Sequence, residues 1–154
     1  MGKNRYYIAY GSNLSVAQMA FRCPDAKVVG KAILKDWRLV FRLHATIEPA
    51  EGYAVPVVIW KISSADEARL DRYEGFPKYY IKQNIRLTAY SLNGEHEREI
   101  TGMAYIMTNG IRDIIPPTAG YYATIYEGYE RFGFNKQILR NAASDAFMYR
   151  AVND

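Results

Sequence analysis

A chain of 154 residues, 49% of them hydrophobic, has the size of one domain with a sizeable core, and we expect a single domain over residues 1–154. No apolar run approaches the roughly 20 residues that a membrane-spanning helix requires, and no charged leader precedes an apolar one, so we expect a cytoplasmic protein without a membrane partner. The formal net charge is +4, but the Lys and Arg residues are scattered, so nucleic acid is not an expected partner. One cysteine excludes an internal disulfide.

The start of the chain predicts a strand, a turn and a short helix. Tyr6 to Ala9 is an apolar strand, and a Ser-x-x-Gln capping spacing predicts a helix from Ser15 to Arg22. Helix-start N–H groups lack intrahelical partners and can bind an anion, and a glycine permits backbone conformations closed to other residues. Gly-Ser-Asn is also ordinary turn chemistry, so this segment alone does not establish a site. The turn consists of Tyr10, Gly11, Ser12, Asn13 and Leu14.

Alternation of apolar and polar residues predicts antiparallel strands in the next segment. Lys27 to Leu43 divides into two strands with a turn at Lys35-Asp36, and Glu48 to Gly52 is interpreted as a loop. Tyr53 to Ile62 follows as a nearly continuous apolar strand. Because proline cannot donate to a ladder, Pro56 places this strand at an edge or in a bulge.

A second capping spacing, at Ser64 and Glu67, predicts a helix that ends at Gly75. Glu74 lies at the end of this helix, where the negative end of the helix dipole disfavours ionisation of a carboxylate. Partial burial under the neighbouring tyrosines would act in the same direction. A raised basicity suits a general base, although a solvated glutamate at a helix end is the plainer interpretation.

The remainder of the chain predicts a hairpin followed by helices. Strands at residues 81–89 and 100–108 are joined by the turn Asn93-Gly94, and helices follow at residues 119–131 and 136–150. Antiparallel strands with a few short helices and no β-α-β alternation indicate an α+β fold with a small mixed or antiparallel β-barrel.

Other chemistries fit the sequence poorly. Ser12 is not in a Gly-x-Ser-x-Gly elbow, and the two histidines, His44 and His96, stand alone, so a hydrolytic triad is not expected. Two isolated histidines and one cysteine provide no metal-ligand spacing, so no metal is expected.

Taken together, these segments resemble the gamma-glutamylcyclotransferase-like family. The turn at 10–14 is similar to that family's signature, and Leu70 to Gly75 is similar to the segment that carries its catalytic glutamate. The resemblance covers about residues 6–143. Further segments in the expected order are similar to cyclotransferases that act on γ-glutamyl amino acids: 45–47, 57–60, 105–109 and 117–121.

The resemblance implies a mixed fold with a small β-barrel, one open cavity, and conversion of a γ-glutamyl amine to 5-oxoproline and a free amine. It assigns the general acid/base role to Glu74, with Tyr105 and Tyr121 lining the cavity, and ligand binding to Tyr10, Gly11, Ser12, Asn13 and Leu14. The loop after Glu74 is short, so either Tyr79 or Tyr80 takes the family's tyrosine position, and Tyr80 is favoured. Two residues depart from the pattern: Pro56 stands where a glycine is usual, and Thr118 replaces the commoner serine.

The reaction implied is intramolecular, because the α-amine of the substrate attacks its own γ-carbonyl, and it needs no cofactor. The expected partner is a small γ-glutamyl substrate, and a monomer and a homodimer are both compatible. Two alternatives stay open: a non-catalytic module of the same fold that binds a small metabolite, and a cyclotransferase for a γ-glutamylated amine or biosynthetic intermediate. The segment Met107-Thr108-Asn109 favours amino-acid leaving groups.

Overall fold

The computed structural model describes residues 4–153. The strands are β1 Arg5–Ala9, β2 Lys27–Arg42, β3 His44–Ile62, β4 Tyr80–Tyr90 and β5 Glu97–Met107. The helices are α1 Val16–Arg22, α2 Ser64–Glu74, α3 Ala119–Phe132 and α4 Lys136–Asn153, and a 3₁₀ turn at Ser12–Leu14 joins β1 to α1. Within residues 4–153, no helix is long and apolar enough to cross a membrane.

The strands of the described chain close into a barrel in the spatial order β1-β3-β2-β4-β5. Neighbouring strands pair antiparallel, except that β1 and β5 complete the barrel as a parallel pair at Tyr7 and Met103. Strands β2 and β4 meet at Lys31 and Tyr90, beside Gly30, where a Cβ would lie 2.4 Å from the Tyr90 carbonyl oxygen. The predicted α+β fold with a small β-barrel and flanking helices is confirmed.

Strands β2 and β3 form one long hairpin, so the turn predicted at Lys35-Asp36 and the loop predicted at Glu48–Gly52 are wrong. Both segments lie inside the paired strands, and the chain reverses at Leu43, which has a φ of 70°. Asp36 has a φ of 64°, and its carboxylate accepts a hydrogen bond from the Gly52 N–H at 3.0 Å. The residues with turn propensity therefore form a bulge between two paired stretches.

The sequence predicts that Pro56 lies either at the edge of the sheet or in a bulge, and the strand pairing around it agrees with an edge. Pro56 opposes Ile33 of β2, and no register shift interrupts the ladder there. The pairing of β3 with β1 ends at Ala9 and Val58, so the described part of β1 does not reach Pro56. Pro56 is therefore paired on one side only within the described residues, as at the edge of a sheet.

The cap of α2 is shifted by one residue from the prediction. The Ser63 hydroxyl accepts a hydrogen bond from the Asp66 N–H at 3.1 Å, and the Asp66 carboxylate accepts one from the Ser63 N–H at 3.2 Å. The predicted box at Ser64 and Glu67 has the same spacing one residue later. Glu67 instead forms an ion pair with Lys82 of β4, so a tertiary contact decides between two equivalent local patterns.

Helix α3 packs against the turn that follows β1. Leu14 is fully buried in the core, and a Cβ at Gly128 of α3 would lie 2.5 Å from the Leu14 Cβ. The helix begins at Thr118, whose hydroxyl accepts a hydrogen bond from the Tyr121 N–H at 3.3 Å. The absence of a side chain at Gly128 therefore lets α3 support the turn from outside the barrel.

We predict that Gly128→Ala lowers the midpoint of thermal unfolding, although alanine favours a helix over glycine. Overpacking against Leu14 costs about 1–3 kcal/mol, which exceeds the roughly 1 kcal/mol gained in helix propensity. Circular dichroism during heating measures the change. Gly120→Ala is the matched control, since a Cβ there meets nothing within 4 Å, and it should keep or raise the midpoint. Equal midpoints for the two variants would contradict the close packing at Gly128.

Candidate active site

A cavity of about 420 Å³ opens where the turn after β1, the end of α2 and the first turns of α3 meet. Its volume lies within the range of small-molecule sites. Nine residues were proposed from the sequence to form the site. One of them, Leu14, does not line the cavity, because its side chain is buried in the core. The other eight residues proposed from the sequence line the cavity: Tyr10, Gly11, Ser12, Asn13, Glu74, Tyr80, Tyr105 and Tyr121.

The turn after β1 carries unpaired backbone donors. The Leu14 N–H donates to the Gly11 carbonyl at 3.0 Å, and the next N–H along the chain donates to the Ser12 carbonyl at 3.0 Å. The N–H groups of Gly11, Ser12 and Asn13 have no acceptor within residues 4–153. Adjacent unpaired donors at a cavity wall can bind a carboxylate or an oxyanion.

Gly11 allows a close approach rather than a left-handed backbone. Its φ is −120° and its ψ is −131°, so its backbone is not left-handed. A Cβ at Gly11 would lie 3.3 Å from the Ala45 Cβ and 3.4 Å from the Tyr121 hydroxyl oxygen. A larger residue would therefore push the turn away from the groups that it faces.

Glu74 is the last residue of α2, and a glycine cap turns the chain immediately after it. Gly75 has a φ of 67°, and its N–H donates to the Arg72 carbonyl at 3.3 Å. The Phe76 N–H donates to the Asp71 carbonyl at 2.9 Å, which completes the cap. The helix thus ends at the cavity, with Glu74 in its wall.

The Glu74 carboxylate has neither a hydrogen-bond donor nor an ion pair among the described residues. Its side chain is half-buried, and burial raises the pKa of Glu74 from 4.5 to about 7, while the Arg22 guanidinium acts in the opposite direction. The main cause is therefore loss of hydration, one of the two causes expected from the sequence. Such a group can take up and release a proton near neutral pH.

The Asn13 side chain is bound at both ends. Its amide nitrogen donates to the Tyr7 hydroxyl at 2.9 Å, and its oxygen accepts from the Arg22 guanidinium at 2.8 Å. The same guanidinium stacks on the ring of Tyr73, with 3.3 Å between its central carbon and the ring centroid. The Asn13 amide thus joins β1 to α1 and, through Arg22, to the end of α2.

Two tyrosines hold the peptide groups of Ala45 from opposite directions. The Tyr80 hydroxyl donates to the Ala45 carbonyl at 2.9 Å, and the Ala45 N–H donates to the Tyr121 hydroxyl at 3.0 Å. The Tyr80 hydroxyl proton is therefore bound to Ala45, whereas the Tyr121 hydroxyl accepts from Ala45 and also has a hydrogen bond with the Ser12 side chain. Tyr79 also lines the cavity but is exposed, whereas Tyr80 is buried, so both residues considered from the sequence reach the site.

The other two predicted tyrosines donate their protons within the protein. The Tyr10 hydroxyl donates to the Tyr105 carbonyl at 2.5 Å, and the Tyr105 hydroxyl donates to the Asp71 carboxylate at 2.5 Å. Neither hydroxyl is left as a free donor. The Tyr7 hydroxyl accepts from the Asn13 amide, as the Tyr121 hydroxyl accepts from Ala45.

Several residues of the cavity wall are not predicted from the sequence. Tyr7 lies on the strand before the turn, and no motif marks it. Alternation along that strand predicts only that Tyr6 and Tyr7 point to opposite faces. His44 and Arg112 carry no local signal, because one follows a tight strand reversal and the other lies in an irregular loop. Within residues 4–153, no group of three or more His, Cys, Asp or Glu side chains could hold a metal ion. Ala45, Arg72, Tyr73, Gly75 and Tyr79 complete the wall.

Comparison with known proteins agrees with this fold. The family model for gamma-glutamyl cyclotransferase, AIG2-like proteins matches residues 7–129. A gamma-glutamylcyclotransferase of Bos taurus is 32% identical over 144 residues, which cover 86% of this chain and 73% of that protein. The Mus musculus gamma-glutamylcyclotransferase is 30% identical over 149 residues, covering 88% and 76%. A solved gamma-glutamyl cyclotransferase structure has a TM-score of 0.74 at 28% identity, covering 91% of this chain and 86% of that one.

The chain therefore belongs to the gamma-glutamyl cyclotransferase, AIG2-like family. Within that family it is an enzyme of the gamma-glutamylcyclotransferase class, as its relatives are. The recognition made from the turn and the Glu74 segment is confirmed.

We predict that the stability of the wild type relative to Glu74→Gln falls as the pH rises. The folded chain binds the Glu74 proton more tightly than the unfolded chain does, so the stabilisation is complete below about pH 4.5 and is lost as the pH passes about 7. The difference in the free energy of unfolding should change by roughly 1–3 kcal/mol between about pH 4.5 and pH 8. Urea unfolding of both proteins at several pH values measures it. A difference that is constant with pH would contradict the raised pKa.

We also predict that Arg22→Gln raises the pKa of Glu74 further. The substitution removes the positive charge that lowers this pKa, while the glutamine amide can still donate to Asn13. Titration of the side-chain carboxyl carbon signals by NMR measures the change. Arg86→Gln is the control, because Arg86 is exposed and pairs with Glu99 outside the cavity wall. An unchanged or lower pKa in Arg22→Gln would rule out the electrostatic effect.

Proposed function

We propose that this chain converts a γ-glutamyl amino acid or amine to 5-oxoproline and a free amine, with Glu74 as the general acid/base. The observation that carries the proposal is the unpartnered Glu74 carboxylate, which has a pKa of about 7 and shares one cavity with the unpaired N–H groups of the turn. Its pKa matches a group that must accept and return protons near neutral pH.

The reaction needs few groups because nucleophile and electrophile belong to one molecule. Glu74 takes a proton from the substrate α-ammonium, and the freed amine attacks the γ-carbonyl carbon and closes a five-membered ring. Glu74 then passes the protons lost by the attacking nitrogen to the leaving nitrogen, and the bond between that nitrogen and the γ-carbon breaks. The products are 5-oxoproline and a protonated amine, and no proton is gained or lost overall. Holding the folded-back conformer supplies much of the acceleration.

The remaining wall supplies donors for the oxygens of the substrate. The N–H groups of Gly11, Ser12 and Asn13 are unpaired and can bind the α-carboxylate or the oxyanion that forms on the γ-carbonyl. Tyr121 and Tyr7 accept hydrogen bonds from the protein and so can donate their own protons to substrate. Tyr105 donates its hydroxyl proton to Asp71, so it supports the site through its ring and carbonyl.

We predict that Glu74→Gln lowers kcat about 100- to 10,000-fold, which is the usual contribution of a general acid/base. Release of 5-oxoproline from a panel of γ-glutamyl compounds, measured by NMR, gives the rate. The variant should keep the fold and still bind substrate, because glutamine has the same shape.

Glu51→Gln is the matched control, since Glu51 is exposed in the β3 bulge and outside the cavity wall. If folded Glu74→Gln turns over near the wild-type rate, the assignment of Glu74 is wrong. If the wild type binds γ-glutamyl compounds without releasing 5-oxoproline, the proposed reaction is wrong.

A further inference from the structure

Arg22 lies outside the wall of the cavity, yet its guanidinium contacts two residues of that wall. It donates to the Asn13 side-chain oxygen at 2.8 Å, and its central carbon lies 3.3 Å from the centroid of the Tyr73 ring. Arg22 is half-buried, and within residues 4–153 it forms no ion pair with a carboxylate. A guanidinium can orient neutral partners in this way, because it donates in fixed directions and stacks on aromatic rings.

Helix α1 carries Arg22 to the turn because the helix begins directly after it. Arg22 is the last residue of α1 and lies four residues after Gln18, so both side chains share one face of the helix. With its amide oriented to satisfy both ends, Gln18 donates to the Ser12 carbonyl at 2.8 Å and accepts from the Arg22 guanidinium. This face of α1 therefore holds two successive residues of the turn, Ser12 and Asn13.

Asn13 is bound at each of its polar atoms except the backbone nitrogen. Its carbonyl accepts from the Trp60 indole N–H at 3.1 Å, and its amide nitrogen donates to the Tyr7 hydroxyl at 2.9 Å. Its side-chain oxygen accepts from Arg22, whereas its backbone N–H has no acceptor among the described residues. Trp60 and Tyr7 belong to the core of the barrel. Arg22 is thus the contact to Asn13 that can be removed without altering the barrel core.

The other partner of Arg22 belongs to the end of α2. Tyr73 directly precedes Glu74, and its side chain is 51% exposed, so the barrel does not enclose it. The stacked guanidinium of Arg22 covers one face of its ring. One side chain therefore contacts both the turn that carries the unpaired N–H groups and the residue next to the carboxylate.

We propose that Arg22 is a positioning residue: through Asn13 and Tyr73 it holds the turn and the end of α2 at the spacing that the substrate requires. This rests on the proposed function, in which the turn binds substrate oxygens and Glu74 transfers the protons. Arg22 itself touches no reacting atom, because it lies outside the cavity wall. Without Arg22 the turn occupies its binding conformation for less of the time, and the Kd rises by the inverse of that fraction.

The test measures binding of γ-glutamyl-alanine by NMR titration in a Glu74→Gln background. That background removes the carboxyl group whose ionisation the charge of Arg22 affects, so that the effect of position remains. Adding Arg22→Met should raise the Kd about 10- to 100-fold, the range for losing a hydrogen bond from a charged donor. Arg22→Lys should raise it less, because lysine keeps the charge and loses the planar stack on Tyr73. Arg86→Met, at an exposed arginine that pairs with Glu99, should leave the Kd unchanged.

Two binding results would overturn the proposal. An unchanged Kd with Arg22→Met would mean that the turn keeps its conformation without the arginine. A Kd for Arg22→Lys equal to that of the Glu74→Gln background would mean that the charge alone suffices. Circular dichroism during heating shows whether each variant folds, and the result for Arg22→Lys decides the matter if Arg22→Met does not fold.

A spectroscopic signature separates positioning of the turn from a general loss of structure. In Arg22→Met, the NMR signals of the Asn13 side-chain amide should shift and exchange faster with solvent. Those of Asn93, which lies in the exposed turn between β4 and β5, should stay in place. Unchanged Asn13 signals would contradict the contact, and equal changes at both residues would assign Arg22 to the fold as a whole.

The pH profile of kcat/KM separates positioning from the effect of charge on Glu74. At the high-pH limit Glu74 is ionised with or without Arg22, so the loss of activity in Arg22→Met should persist there. A loss that disappears at high pH would mean that Arg22 acts only through its charge. Absence of 5-oxoproline release by the wild type would refute the proposed reaction alone, because the binding comparison does not require turnover.

Discussion

The docking of helix α2 onto the barrel is the constraint on which the cavity depends. Asp71 accepts hydrogen bonds from the Tyr105 hydroxyl at 2.5 Å and the Lys82 ammonium at 3.0 Å, which joins α2 to β5 and β4. The Tyr105 carbonyl accepts the Tyr10 hydroxyl at 2.5 Å, so the strand that leads into the turn belongs to the same network. Glu74 follows Asp71 by about one helical turn, and this docking therefore also sets its position relative to the turn.

Glu74 differs from the other acidic side chains of α2 in having no partner. Its counterparts earlier in the helix are held by the Ser63 cap, by Arg69 and by Lys82, whereas no described residue donates to Glu74. Leaving a half-buried carboxyl group without donors costs stability. Such a local conflict is expected where a fold keeps a group for chemistry, and it supports the proton-transfer role proposed for Glu74.

The tyrosines show why presence in a cavity does not define a role. Fourteen tyrosines occur in the sequence, and their positions do not reveal where each hydroxyl proton goes. Tyr80 and Tyr105 donate within the protein, while Tyr121 and Tyr7 accept hydrogen bonds. These assignments depend on partners far away in the chain, such as Ala45 for both Tyr80 and Tyr121, and no local pattern contains that information.

The sequence by itself determined the element types, the fold class and the two motif segments around Gly11 and Glu74, because periodicity, capping spacing and a motif are local properties. Tertiary structure decided the rest. Burial by distant side chains, rather than the helix end alone, raises the pKa of Glu74. Asp36, predicted to lie in a turn, forms a bulge within a long hairpin, because the strand pairing on either side of it outweighs the local preference for a turn. Barrel closure brought His44 and Arg112, from segments without a motif, into one wall with Glu74.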